Sequence, residues 1–233
     1  MALLQVSDIH TFIGQFHILE GISVTAEAGR ITVLLGRNGA GKTTTLKSIL
    51  GMTPPAQGSI TFKGVSLAGK RPFEIAQMGI GYVPEHRAIF KELSVRENLL
   101  IAARQRNDLD KRADLIFELF PDLKRLYELP GGNLSGGQQQ MLAVARALVP
   151  ENSLLLIDEP SEGLAPVIIE TLMEAIRRLK ETTTVLLVEQ NFRVARQLAD
   201  HYVIIDDGHS VQSGMMADLV QDQALIQKYL GVA

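Results

Sequence analysis

Four side chains in this sequence have the types and the placement for phosphate chemistry. Lys42 and Thr43 close the run Gly36-Arg37-Asn38-Gly39-Ala40-Gly41-Lys42-Thr43, and Asp158 and Glu159 close the apolar run Leu154 to Ile157. The first run matches the phosphate-binding loop pattern of spaced glycines, a lysine and a hydroxyl. Glycines let the backbone turn tightly with its N–H groups inward, which makes an anion nest at a helix amino end. Lys42 then reaches the terminal phosphates of a nucleotide, the Thr43 hydroxyl ligates a bridging Mg²⁺, and Thr44 belongs to the same nucleotide-binding stretch. The second run places two carboxylates at the carboxyl edge of a sheet, where open α/β sheets bind ligands. Asp158 is expected in the Mg²⁺ shell, and Glu159 is expected to orient and deprotonate an attacking water.

These residues need elements to hold them. Ile31 to Leu35 reads as a buried strand ahead of the loop, and a helix starts near Lys42, carries Leu46, Ile49 and Leu50, and ends at Gly51. Upstream, Leu3 to Ile9 and Ile18 to Thr25 read as short strands, the second closing at Glu27-Ala28-Gly29. Downstream, Gly58 to Phe62 and Ile80 to Val83 read as strands flanking a helix from Pro72. From Ser94 to Leu129 the apolar spacing turns helical, an insertion in the α/β core that ends at Gly131-Gly132. A helix from Gly137 to Val149 follows, stopped by Pro150. The runs Leu154 to Ile157 and Val185 to Val188 suit parallel strands buried on both faces, joined by a helix from Pro166 to Leu179. The tail adds a strand Tyr202 to Ile205, a turn at Asp206-Asp207-Gly208 and one last helix carrying Leu219, Leu225, Ile226 and Leu230.

Composition narrows the classes. A chain of 233 residues accommodates one large α/β domain or a core with an insertion. A net charge of -3 without a basic stripe argues against nucleic acid as a partner. No cysteine means no disulfide, thiolate metal site or cysteine nucleophile, and Met1 leads directly into strand-like sequence with no signal peptide, so a cytoplasmic setting is expected. No apolar run reaches the roughly 18 residues that cross a bilayer. His10, His86 and His201 have no metal-ligand spacing.

One further stretch gives the chain a family likeness. Leu134-Ser135-Gly136-Gly137-Gln138 opens a helix, so that Ser135 and the amides of Gly136 and Gly137 make a second anion site. Together with Gly36 to Thr43 and Leu154 to Pro160, it makes the chain resemble the ATP-binding subunits of ABC transporters over essentially its whole length. The resemblance implies an α/β P-loop NTPase core with an N-terminal antiparallel β subdomain and an inserted α-helical subdomain at about residues 86–149, in one ATP-binding domain over residues 1–233. It implies ATP hydrolysis with Mg²⁺. It also implies head-to-tail pairing with a second ABC ATPase subunit, identical or homologous, in which Ser135 to Gln138 of one covers ATP on Gly36 to Thr44 of the other. Its further implications are membrane permease subunits, a periplasmic substrate-binding protein and a peripheral place on the cytoplasmic face of the cell membrane.

Within the family the sequence looks like the LivF branch of branched-chain amino-acid importers. Tyr82-Val83-Pro84-Glu85 stands where most members have glutamine, which gives Glu85 a part in arranging magnesium and water. The stretch Arg87 to Glu97, with Phe90 and Asn98, would lie near the surface that receives a membrane subunit. In Val188-Glu189-Gln190-Asn191, Gln190 replaces the usual switch histidine and would sense the γ-phosphate by hydrogen bonding, without titrating near neutral pH. Ala165 in Ser161 to Pro166 replaces an aspartate of the dimer-contact loop, and the ending Tyr229-Leu230-Gly231 also fits the branch. Ile13 stands where the family stacks an aromatic on adenine, and Phe12 or Phe16 would substitute. A urea or amide importer ATPase, and an ATP-gated clamp outside transport, are the alternatives.

Overall fold

The structure, a computed structural model, describes residues 1–231. Strands β1 (Ala2–Ile13) and β2 (Phe16–Glu27) form a long antiparallel hairpin. Both outrun the expected strands because backbone pairing continues to Ile13 opposite Phe16, beyond the region where apolar side chains alternate. Irregular pairing between Val6 and Ile9, with Asp8 at φ 48°, bends β1 on the way.

The chain then enters the second sheet with β3 (Ile31–Leu35), buried at every position, and leaves it through the loop into helix α1 (Lys42–Ile49). Strands β4 (Gln57–Phe62) and β5 (Val65–Ser66) return to the first sheet, giving the order β2-β1-β4-β5. Helix α2 (Pro72–Gln77) leads into β6 (Ile80–Val83), an edge strand of the second sheet.

Between β6 and the next strand the chain is helical: α3 (Val95–Leu100), α4 (Asp108–Leu119), α5 (Pro121–Arg125), a single 3₁₀ turn at Gly131–Asn133, and α6 (Gly136–Leu148). The helical spacing read from Ser94 to Leu129 is broken into three pieces. The Asp108 carboxylate accepts from the amides of Arg104 and Gln105 and so starts α4 afresh. Phe120, at φ -133° and ψ 72°, precedes Pro121 and separates α4 from α5.

Next come β7 (Leu154–Asp158), α7 (Pro166–Leu179), β8 (Thr184–Glu189), α8 (Phe192–Leu198), β9 (His201–Asp206) and β10 (His209–Met215). The six-stranded order is β10-β9-β3-β8-β7-β6, parallel except for β10. Helix α8 and strand β10 lie where the sequence reading marked no element. The single last helix is two, α9 (Met216–Gln221) and α10 (Gln223–Leu230), because Asp222 leaves helical geometry and its side chain caps the Leu225 amide.

Two cores flank the parallel sheet. Ile31, Val33 and Leu35 face one with the residues of α6 and α7, while Leu34 faces the other with α1 and the antiparallel sheet. Alternate residues of β3, β7 and β8 thus enter opposite cores, which is why these strands read as unbroken apolar runs. The carboxyl ends of β3, β7 and β8 are thus held between two cores, and they carry the site.

Candidate nucleotide site

The two ends of the loop from Gly36 to Gly41 are pressed against other elements and tolerate little side-chain volume. Gly41, at φ 109°, would put a methyl group 2.7 Å from Leu19 Cδ2, and one on Gly36 would meet the Ile205 carbonyl oxygen. The Gly208 amide, in the turn between β9 and β10, braces the loop by donating to the Ala40 carbonyl at 3.0 Å. Lys42 is only 4% exposed. Its ammonium donates to the carbonyls of Gly36 and Arg37, both at 3.0 Å, and lies 3.1 Å from Glu159 Oε1. Thr43 Oγ1 donates to Asp158 Oδ1 at 3.0 Å. These groups border a cleft of about 260 Å³ lined by Asn38, Gly39, Gly41, Lys42, Thr43, Thr44, Glu85, Glu159 and Glu162.

Burial raises the Asp158 carboxyl above its ordinary value; the Thr43 hydrogen bond opposes the shift, and the nearby Glu159 adds to it. Tyr82 donates its phenol to Asp158 Oδ2 at 3.3 Å, and burial, reinforced by the Asp158 charge, raises the phenol pKa, so it stays a proton donor. Glu159 adopts φ 44° and donates its amide to the Val188 carbonyl at 3.0 Å, which fixes its backbone on β8. The donor pair Thr43 and Asp158 is all oxygen, as a hard divalent cation requires. No group of three His, Cys, Asp or Glu among the described residues could hold a metal alone, so phosphate oxygens and water would complete the shell.

Other expected site residues lie elsewhere. Ser135 caps α6 by accepting from the Gln138 amide at 3.3 Å, and the Ser135 amide donates to Gln138 Oε1 at 3.0 Å. Gly137 packs against α7, where a methyl group would come within 2.9 Å of Ile168. None of Ser135 to Gln138 lines the cleft. Gln190 borders a separate cleft of about 440 Å³ with Asn191, Arg193, Arg196 and residues of α9 and α10. Phe12 stacks on His17, with ring centres 4.2 Å apart and an interplanar angle of 8°, whereas Phe16 is 66% exposed. Asn98, expected near a docking surface, is fully buried: it accepts from the Phe90 amide and donates to the carbonyls of Phe90, Leu93 and Ser94.

Two participants had no assigned role. Tyr82 was read as part of the strand Ile80 to Val83 and of the run Tyr82 to Glu85 marked by the resemblance, with no role of its own. Glu189, 1% exposed, accepts from the Ser161 hydroxyl at 3.0 Å and the Asn191 amide at 3.2 Å, and burial pushes its carboxyl up to about 7. Its signal was a carboxylate closing the apolar run Val185 to Val188.

A strand, a glycine loop and a helix that hold a lysine and a hydroxyl against strand-end carboxylates define a P-loop nucleoside triphosphatase. The profile of the family described as ABC transporter matches residues 19–162, and the chain belongs to that family as one of its ATPases. It is 40% identical to the high-affinity branched-chain amino acid transport ATP-binding protein BraG of Pseudomonas aeruginosa, over 98% of this chain and 100% of the relative. It is 32% identical to the lipopolysaccharide export system ATP-binding protein LptB of Escherichia coli K12, over 92% of this chain and 91% of that one. Among solved structures, the ADP conformation of an ATP-binding cassette from an ABC transporter superposes with TM-score 0.86 and 26% identity, covering 100% of both chains. No helix of the described residues is long and apolar enough to cross a membrane.

Proposed function

We propose that this chain is the ATP-hydrolysing subunit of an importer for branched-chain or other hydrophobic amino acids. In this reading it works at the cytoplasmic face of the cell membrane, with a second ABC ATPase subunit, membrane permease subunits and a periplasmic substrate-binding protein. The observation that carries it is a site with one built side. Lys42, Thr43 and Glu159 border the cleft, while the Gly136 and Gly137 amides at the start of α6 are offered away from it. A second subunit, the same chain or a homologue, supplies the missing side. The likeness to BraG over essentially the whole chain supports amino acids as the cargo class.

In the assembled site the loop amides and Lys42 bind the β- and γ-phosphates. Thr43 Oγ1 and Asp158 would hold Mg²⁺, which would supply positive charge against the phosphates. Glu159 takes a proton from water as its oxygen bonds to the γ-phosphorus, and the bond to the β,γ-bridging oxygen breaks to leave ADP and phosphate. Glu85 orients that water from the far wall, and Gln190 joins through hydrogen bonding when the subunits close.

The test is ATPase rate per subunit against protein concentration, together with purification of the chain beside the permease subunits. A rate that rises with concentration and an ATPase that copurifies with an amino-acid permease are expected. A fully active, concentration-independent monomer would sink the two-subunit reading. The LptB likeness favours export as a second reading, and copurification with export components instead would select it.

A further inference from the structure

Arg87 is held at the amino end of α6 in a way that calls for an anion. Its guanidinium lies over Gly136, so close that a methyl group on that glycine would come within 3.0 Å of Nη1 and 3.7 Å of Cζ. Gly136 and Gly137 are the first two residues of the helix, and their amides have no earlier carbonyl to bond. The helix end is therefore positive, and a cation beside it is repelled. Arg87 makes no ion pair with an acidic side chain among the described residues; Glu85, two positions earlier, lies 3.7 Å from His86 instead. Positive charges thus converge without a counter-charge.

The protein maintains this arrangement against local strain. Arg87 and Ala88 both adopt left-handed backbone, at φ 60° and 48°. Each such non-glycine residue costs about 1 kcal/mol. Arg146, at the other end of α6, donates to both of their carbonyls, at 3.1 Å to Arg87 and 2.7 Å to Ala88. One helix therefore supplies the anion-binding amides and, through Arg146, pins the backbone that aims Arg87 at them. Glu85 lines the chain's own cleft, but Arg87 does not. The guanidinium serves the Ser135 edge.

We propose that Arg87 is a phosphate-binding residue acting in trans, its guanidinium gripping the γ-phosphate of ATP held on the second subunit's glycine loop. This rests on the two-subunit reading above. A planar guanidinium offers paired N–H donors that match two phosphate oxygens, and it strengthens its hold as charge develops on the transferring group. It joins the Ser135 hydroxyl and the Gly136 and Gly137 amides on one face, opposite Lys42 on the other.

Subunit mixing tests the assignment. Arg87→Ala alone should lower ATPase turnover on the order of 10- to 100-fold, while its isolated chain, whose own loop is intact, binds a fluorescent ATP analogue within about twofold of wild type. Lys42→Ala alone should be inactive. An equimolar mixture of the two should turn over roughly 3- to 25-fold faster than Arg87→Ala alone, because about half the dimers are mixed and one site of each pairs an intact loop with an intact Arg87. A Lys42→Ala plus Ser135→Arg mixture is the control. If the control recovers activity and the Arg87 mixture does not, trans action is wrong. Loss of analogue binding by isolated Arg87→Ala would also overturn it, in favour of a structural or same-chain role. Failure of the control would overturn the two-subunit reading, and the proposal with it.

Discussion

The Lys42 ammonium lies 3.1 Å from Glu159 Oε1, so the side chain proposed to bind the phosphates and the side chain proposed to activate water are ion-paired with each other. In the proposed mechanism phosphate arriving at Lys42 would compete with that carboxylate and free it for water. Glu159→Gln removes the competitor along with the base. ATP affinity should therefore stay the same or tighten, while turnover falls by about 10²- to 10⁴-fold. Equilibrium binding and single-turnover hydrolysis of the same preparation check this, and hydrolysis at the wild-type rate would remove Glu159 from its role.

Thr43 and Asp158, 115 positions apart, are joined by a 3.0 Å hydrogen bond. Thr43→Ser keeps the oxygen and should keep Mg²⁺-dependent activity within a fewfold. Thr43→Val keeps the shape, loses the oxygen and leaves Asp158 buried without that donor. It should raise the Mg²⁺ concentration for half-maximal ATPase by at least roughly tenfold. Removing divalent ions with chelator should abolish turnover in wild type and both variants. Equal Mg²⁺ dependence of Thr43→Val and wild type would argue against this oxygen as a ligand.

How much of the site was legible follows from what local sequence encodes. The glycine loop and the strand-end carboxylates were readable because backbone turning and unbroken burial leave marks at fixed spacing: β3 is buried at all five positions, as is β7. The ends of β1 and β2 were not, since cross-strand bonds carry them beyond their apolar alternation. The break at Asp222 was hidden because helical apolar spacing resumes on either side of it. The positions of Arg87 over Gly136 and of Asn98 inside its loop depend on contacts between separate segments, which residue types alone do not encode.

Asn98 ties four backbone groups of the segment before α3, with the Phe90 amide at 3.0 Å and carbonyls at 2.9 to 3.0 Å. Asn98→Ala leaves the Phe90 amide without an acceptor, while the carbonyls of Phe90, Leu93 and Ser94 keep the backbone amides of Leu93, Gly131 and residue 98, and it should cost about 1–3 kcal/mol. Urea unfolding measures the loss, and hydrogen exchange should localise the early opening to residues 89–98. A change below about 0.5 kcal/mol would mean that water or a shifted loop satisfies the Phe90 amide.

Glu189 makes stability depend on pH in a direction set by its burial. Its carboxyl moves from an ordinary 4.5 to about 7 in the fold. Below pH 4.5 both folded and unfolded chains hold the proton and the group is neutral toward folding. As pH rises from 4.5 to 7 the unfolded chain releases the proton first, so stability falls. Above 7 both are ionised and the full penalty, roughly 3 kcal/mol, remains. Glu189→Gln keeps an acceptor for Ser161 and Asn191 without the charge. It should stabilise the protein at pH 8 and change little near pH 4.5, as read by urea midpoints at both values. An equal effect at both would show that the carboxyl does not titrate in this window.

Phe12 and Phe16 are the two aromatics proposed to stack on adenine, and their surroundings differ. Phe12 has one face covered by His17 at 4.2 Å, whereas Phe16, opposite Ile13 at the turn end of the hairpin, is 66% exposed. An aromatic with free faces can stack on a base, a contact worth about 1 kcal/mol. Phe16→Ala should therefore weaken ATP binding by about fivefold and leave inorganic tripolyphosphate, which has no base, unchanged. Phe12→Ala should affect both equally or neither, since its packing serves the hairpin. Calorimetric titration of the two variants with the two ligands separates base stacking from loop distortion. If the selective loss of ATP appears in Phe12→Ala instead, the stacking residue is Phe12, and the His17 ring must rotate away for adenine to enter.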